Sequence, residues 1–226
     1  MENPPMETVG SFEALRTIYR EASSLVQGKV RVGLEQASID YIACSPFVLV
    51  ASAGADGQLD VSPRGGPAGF VSVIELGGEP YVVLPDLNGN NLLDTFTNVV
   101  ATGTVGLLFL VPGKGETLRV NGAAWISAEP SLLEQCTPPE FATPKAALVV
   151  RPDQVFIHCA KAFRRSGLWN PETWNPDAAP DGVRILTSQG LVPPKHEEAV
   201  RQSLTDGYVT ELAQDFRSLR TDDWFP

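Results

Sequence analysis

Basic residues are in the minority here. The chain of 226 residues carries 17 Lys+Arg against 27 Asp+Glu, a formal net charge of -10. Such a chain repels phosphodiester backbones, which excludes a general nucleic-acid coat. A local basic pocket for a phosphorylated ligand stays open. Histidine is scarcer still: His158 and His196 stand far apart, and the His196 segment, His-Glu-Glu-Ala-Val, lacks the second histidine of a zinc-protease helix. With no Cys-x-x-Cys pair, a protein-built zinc site is not expected. The three cysteines, Cys44, Cys136 and Cys159, are odd in number and widely spaced. They read as reduced thiols of a cytoplasmic protein. The longest apolar run, residues 105–111, falls far short of the roughly 20 residues a bilayer helix needs, so no membrane span is expected. Residues 1–10 lack the basic and apolar regions of a secretory signal. No Gly-x-Ser-x-Gly elbow and no Walker A loop occurs. Gly113-Lys114-Gly115 runs into Glu116, and Leu118 stands where the third glycine of a dinucleotide fingerprint belongs. Any redox or transfer chemistry therefore points to a bound cofactor.

What is present suffices for a core. Hydrophobic residues make up 43% and charged residues 19%, a globular composition. The pattern predicts an N-terminal arm and helix over residues 1–34, a main domain over 35–170, and a C-terminal loop with helices over 171–226, packed on the main domain. Within the arm, Ser11 is expected to cap a helix over 12–20. A second helix is expected over 34–44, ending before Pro46. The period then changes to that of strands. Residues 47–52 and 58–63 flank the turn Gly54-Ala55-Asp56-Gly57, and residues 69–75 and 80–85 form a second hairpin. A helix capped at Asn90 or Asn91 is expected to run to 101. Strands follow at 104–111, apolar enough to be buried on both faces, and at 116–127, then at 147–150 and 155–159. A helical insertion covers 129–144, a short basic helix 160–168, and further helices 195–204 and 209–219. Six or more antiparallel strands with short turns and one interrupting helix predict a β-barrel with peripheral helices.

Four segments combine residues that bear chemistry. Ser62-Pro63-Arg64 ends a strand and precedes Gly65-Gly66. A hydroxyl, a guanidinium and open backbone suit a phosphate or a flavin edge; a corner turn with a surface arginine is the plainer reading. Leu84-Pro85-Asp86-Leu87-Asn88-Gly89-Asn90-Asn91 joins a strand to a helix. It reads as an anion-receiving helix start or as a self-capped loop. In Glu116 to Asn121, alternation puts Thr117, Arg119 and Asn121 on the face opposite Leu118 and Val120. That polar row is a ligand wall, a subunit interface or a solvated face. Finally, His158 to Trp169 gathers Lys161, Arg164 and Arg165 on one helix face, which meets an anionic cofactor, a partner subunit or solvent.

The runs SPRGGPAGFV, LPDLNGNNLLDTFTN, VGLLFLVPG, ETLRVNG and HCAKAFRRSGLW, in that order over residues 35–170, resemble the pyridoxamine 5'-phosphate oxidase-like, FMN-binding split-barrel family, and within it a subgroup of FMN-dependent enzymes. The resemblance implies a mainly β fold with peripheral helices, a six-stranded antiparallel split β-barrel, and a homodimer with FMN at the subunit interface. It implies that Ser62, Pro63 and Arg64 lie along the flavin. Leu84, Pro85 and Asp86 then lie at the ring and ribityl chain, and Asn88, Asn90 and Asn91 near the phosphate. Glu116, Arg119 and Trp169 would approach from the partner subunit. It also implies arginine at the positions of Leu87 and Asn91, where this chain has none, so its phosphate site has fewer cations. The C-terminal Arg-x-His signature of true pyridoxamine phosphate oxidases is missing, which argues against pyridoxal phosphate synthesis. The expected function is electron or hydride transfer between NAD(P)H and a small organic substrate, aromatic or heteroaromatic. The alternatives are a non-catalytic flavin- or heme-binding barrel and a cofactor-less interaction module.

Overall fold

The computed structural model describes residues 6–216. The expected helical residues 217–219 and the start of the N-terminal arm lie outside that range. Strands β1 (Phe47–Ala53), β2 (Leu59–Gly65), β3 (Ser72–Leu76), β4 (Glu79–Pro85), β5 (Thr104–Leu110), β6 (Thr117–Ser127) and β7 (Ala147–His158) form one antiparallel sheet. Its order is β2-β1-β5-β6-β7-β4-β3. Period-2 side chains leave each strand one inward row: Val48 and Val50, Val105, Leu107 and Phe109, Leu118 and Val120, Val82 and Leu84, and Val150 and Val155 meet in a single core with Phe70 and Val71. Edges β2 and β3 are not paired with each other, so the rolled sheet is a barrel split on one side. There are seven strands against the six that the resemblance implies, while the antiparallel split-barrel architecture with peripheral helices stands.

Among the described residues there are eight α-helices: α1 (Phe12–Ile18), α2 (Ser24–Gly28), α3 (Gln36–Ala43), α4 (Asp94–Thr102), α5 (Pro130–Cys136), α6 (Lys161–Ser166), α7 (Gly182–Ser188) and α8 (Glu197–Gln214). The Ser11 hydroxyl caps α1 by accepting from the Ala14 N–H at 3.1 Å. Helix α5 buries Leu132, Leu133 and Cys136 against Val83, Ala147 and Val149 on the outer face of β4 and β7. Where β4 stops pairing with β7, the N-terminal segment takes over: Arg31 exchanges backbone hydrogen bonds with Val155 at 3.0 and 2.8 Å. Among the described residues no helix is long and apolar enough to cross a membrane.

Several expected boundaries move. The two strands expected after residue 147 are one, β7. Pro152 has no N–H to give the ladder, and a bulge absorbs it: the register shifts between Asn121 and Gly122, which face Gln154 and Pro152, leaving Asp153 as the extra residue. A Cβ on Gly122 would lie 1.8 Å from the Arg151 carbonyl oxygen, so this crossing requires glycine. Strand β5 alternates: Leu107 and Phe109 are buried, whereas Leu108 and Leu110 are only partly covered. Helix α4 starts at Asp94, later than Asn90 or Asn91. Asn91 (φ 56) and Leu93 (φ 61) are left-handed, a conformation that interrupts a right-handed helix. The two C-terminal helices expected at 195–204 and 209–219 are the single α8, and α7 was not expected at all.

Candidate functional site

The end of β2, the end of β4 and the segment leading into α4 converge at the mouth of the barrel. The β1 register Val48 to Arg64 and Val50 to Ser62 fixes β2, and strand alternation directs Ser62 and Arg64 to one face. The Asp60 carboxylate accepts from the Thr95 hydroxyl at 3.0 Å, tying β2 to the first turn of α4. Between these elements lies a cavity of about 360 Å³. Ser62, Pro63, Arg64, Pro85, Asn88 and Asn90 line it, together with Phe70, Leu87, Leu92, Leu93 and Asp94. Six residues expected from the sequence are thus brought together here.

The neighbouring ones sit around this cavity. Leu84 is buried in the core (4% exposed) and, with Arg64, Pro85 and Asp86, borders a narrow crevice beneath the cavity. Asp86 and Asn91 line an adjacent cavity of about 270 Å³ with Lys145, Gln214 and Asp215. The Asn90 side-chain oxygen accepts from the Leu92 N–H at 3.0 Å, so this asparagine shapes the loop and does not cap α4.

Among the described residues Arg64 is the one cation lining the 360 Å³ cavity, and its guanidinium donates to the Asp86 carboxylate at 3.4 Å. Burial pushes the Asp86 carboxyl above its ordinary range, against the opposing pull of the Arg64 and Lys145 charges. Burial also raises Asp215, which the Asn88 N–H counteracts and the Asp86 charge reinforces. Asp94 adds a carboxylate to the cavity wall. The site is therefore rich in hydrogen-bond donors and poor in net positive charge.

Glu116 and Trp169 share a different, open cavity of about 690 Å³, with Lys114, Phe163, Arg164 and Asn170. The Trp169 indole N–H donates to the Lys114 carbonyl at 2.6 Å, and its ring stacks on Phe163 at 5.6 Å. Arg119 lies in neither cavity. It projects over the Phe156 ring at 5.5 Å, and Lys29 lies 5.4 Å from the same ring. Beside them, burial and these two cations hold His158 toward its neutral form. Within the chain, then, Glu116 and Trp169 come together, and neither joins the Ser62–Arg64 group. Sequence reading overlooked Tyr41, whose hydroxyl donates to the Glu116 carbonyl at 2.6 Å, and Asp215. No local motif signals either one, because each acts on a segment distant in sequence.

The donor set of the 360 Å³ cavity fits FMN. A serine hydroxyl, a guanidinium and asparagine amides suit the ring edge and ribityl hydroxyls. The volume lies in the range of about 300–1,000 Å³ typical of ligand pockets.

Residues 34–159 match the family described as "Pyridoxamine 5'-phosphate oxidase". A comparison with curated proteins finds no match. Among solved structures, HupZ of Group A Streptococcus is 18% identical, covering 55% of this chain and 93% of its own, with a TM-score of 0.45. An F420 reductase is 16% identical over 54% of this chain and 98% of its own, at a TM-score of 0.39. A Clostridium acetobutylicum protein related to general stress protein 26 is 14% identical over 54% of this chain and 85% of its own, also at 0.39.

Proposed function

The chain belongs to the pyridoxamine 5'-phosphate oxidase family, and from that premise we propose that it is an FMN-dependent oxidoreductase acting between NAD(P)H and a small aromatic or heteroaromatic substrate. The observation that carries this reading is the cavity where Ser62, Arg64, Asn88 and Asn90 meet. FMN, when bound, supplies the capacity to accept and return a hydride or single electrons. The protein's part is positioning. Ser62 and the asparagine amides offer neutral hydrogen bonds, and Arg64 offers a charged one, steadied by Asp86. Leu87, Leu92 and Phe70 give the cavity an apolar side, which excludes water from a flat ring. Asp86 and Asp94 oppose a second negative charge, so the phosphate is held by few cations, and binding of modest strength follows. The C-terminal helices are read as a separate unit packed on a 35–170 barrel.

We also read the assembly as a homodimer in which Glu116, Arg119 and Trp169 of one protomer approach the cavity of its partner. Their separation from the Ser62–Arg64 group within one chain favours this arrangement. The test is purified protein reconstituted with FMN and supplied with NADH or NADPH and a quinone or nitroaromatic acceptor. Acceptor-dependent oxidation of the nicotinamide supports the reading. Stable FMN binding without turnover turns it into a flavin carrier.

A further inference from the structure

We propose that Asp215 is a positioning residue of the ligand cavity, holding the loop of residues 86–91 in its binding shape from outside the segment that matches the family. The inference rests on the reading that this cavity takes FMN. Helix α8 has no buried residue of its own, yet Asp215, directly after its last turn, is only 7% exposed. Its carboxylate accepts from the Asn88 N–H at 2.7 Å, and its carbonyl accepts from the Ala142 N–H at 2.7 Å. One residue thus ties the cavity loop to the segment that follows α5.

Few other bonds hold the loop. Among the described residues, its backbone amides reach the rest of the fold at two places: Asp86 N–H to the Ala146 carbonyl at 2.9 Å, at the root, and Asn88 N–H to Asp215, in the middle. The Asn90–Leu92 bond is internal to the segment. Asn88, Gly89 and Asn90 are exposed, so packing does not fix them. Burying a carboxylate is costly unless it is hydrogen-bonded, and the bond this one makes is to the loop that carries Asn88 and Asn90 into the cavity. Ion pairs of Arg201 with Asp181 and of Glu197 with Arg184 join the start of α8 to α7, so the helix that leads to Asp215 is braced at its first turns.

The test compares FMN affinity, by fluorescence quenching, in the full chain and in Asp215→Leu, Asp215→Ala and Asp215→Asn. Thermal midpoints establish folding, and amide hydrogen exchange at Asn88 reads the tether without ligand. Leu and Ala remove the acceptor, and affinity should fall by about tenfold or more. Asn keeps an oxygen acceptor in place and should restore affinity to within about twofold of the original. Exchange at Asn88 should quicken in the Leu and Ala variants only. Native affinity in a folded Leu or Ala variant overturns the inference alone, as does an Asn variant as weak as Leu. Failure of both Leu and Ala variants to fold makes Asp215 a structural residue and also overturns it. If the unaltered chain binds no FMN, the functional reading falls first and the inference with it.

Discussion

Arg64 does two things at once: it pairs with a half-buried Asp86 at 3.4 Å and, among the described residues, supplies the only positive charge on the wall of the Ser62–Asn90 cavity. Replacing it by alanine should weaken FMN binding by about tenfold or more, since a hydrogen bond to a charged group contributes roughly 1.5–3 kcal/mol. Arg151→Ala, at an exposed pair with Asp153, should leave affinity unchanged. Equal loss in both variants would refute the assignment. Asp86 also gives the protein a pH dependence. The charged groups facing it are Arg64 on β2, Lys145 before β7 and Asp215 after α8. Burial prevails, so the folded carboxyl keeps its proton to higher pH than the ordinary value of 3.8. Over that window the native state binds more protons than the unfolded chain. The contribution to stability is complete below the window and is lost as pH rises through the folded value. Urea unfolding from about pH 4 to about pH 7 should show the native chain losing stability relative to Asp86→Asn. A difference that stays constant, or that grows the other way, would contradict this.

At the scale of elements, the bulge between β6 and β7 decides how the barrel wall bends past Pro152. Gly122→Ala drives a Cβ to 1.8 Å from the Arg151 carbonyl oxygen, and should cost about 3 kcal/mol or more. Gly89→Ala meets nothing within 4 Å and should be near neutral in the same thermal or urea measurement. Comparable losses in the two variants would show that the bulge is not the constraint. The strands themselves were legible in the sequence, because residues 47–52 and 104–111 are short apolar runs bounded by turns; that only Val48, Val50, Val105, Leu107 and Phe109 of these rows are fully buried emerged from the fold. The bulge was not: the sequence reads as two strands, 147–150 and 155–159, and only the register with Gly122 joins them across Pro152. The start of α4 was misread for a related reason. Asn90 and Asn91 are good cap residues in isolation, but here Asn91 takes a left-handed turn. Asn90 caps its own loop, and the helix begins at Asp94. Helix α7 was missed because its seven residues are too few to show a period, although Asp181 caps it by accepting from the Arg184 N–H at 2.7 Å.

At the scale of the whole molecule, a chain of charge -10 leaves sizeable apolar residues in water. Val61 on β2 is 60% exposed, Val100 on α4 80% and Trp125 on β6 48%. In the N-terminal arm Phe12 and Ile18 on α1 and Tyr19 just after it exceed half exposure. Soluble monomers rarely show large contiguous apolar patches, and a two-fold interface would cover such surfaces twice over. Light scattering behind size exclusion should therefore give twice the mass of one chain. A monomer at micromolar concentration would overturn the dimer and, with it, the approach of Glu116, Arg119 and Trp169 to a neighbouring cavity. The grouping of Ser62, Arg64, Asn88 and Asn90 was legible through the family resemblance, which rests on two short motifs at the ends of β2 and β4; these strands are not neighbours in the sheet order, and the fold brings their ends together. The tie from Asp215 was not, because its partner Asn88 lies 127 residues away. The claim on which the rest depends is that this grouped cavity takes FMN. Titrating FMN into the purified, flavin-free chain and following its fluorescence tests it most directly. Saturable quenching with one FMN per chain, weakened in Arg64→Ala, is the predicted result; fluorescence that stays unquenched at every protein concentration would contradict it.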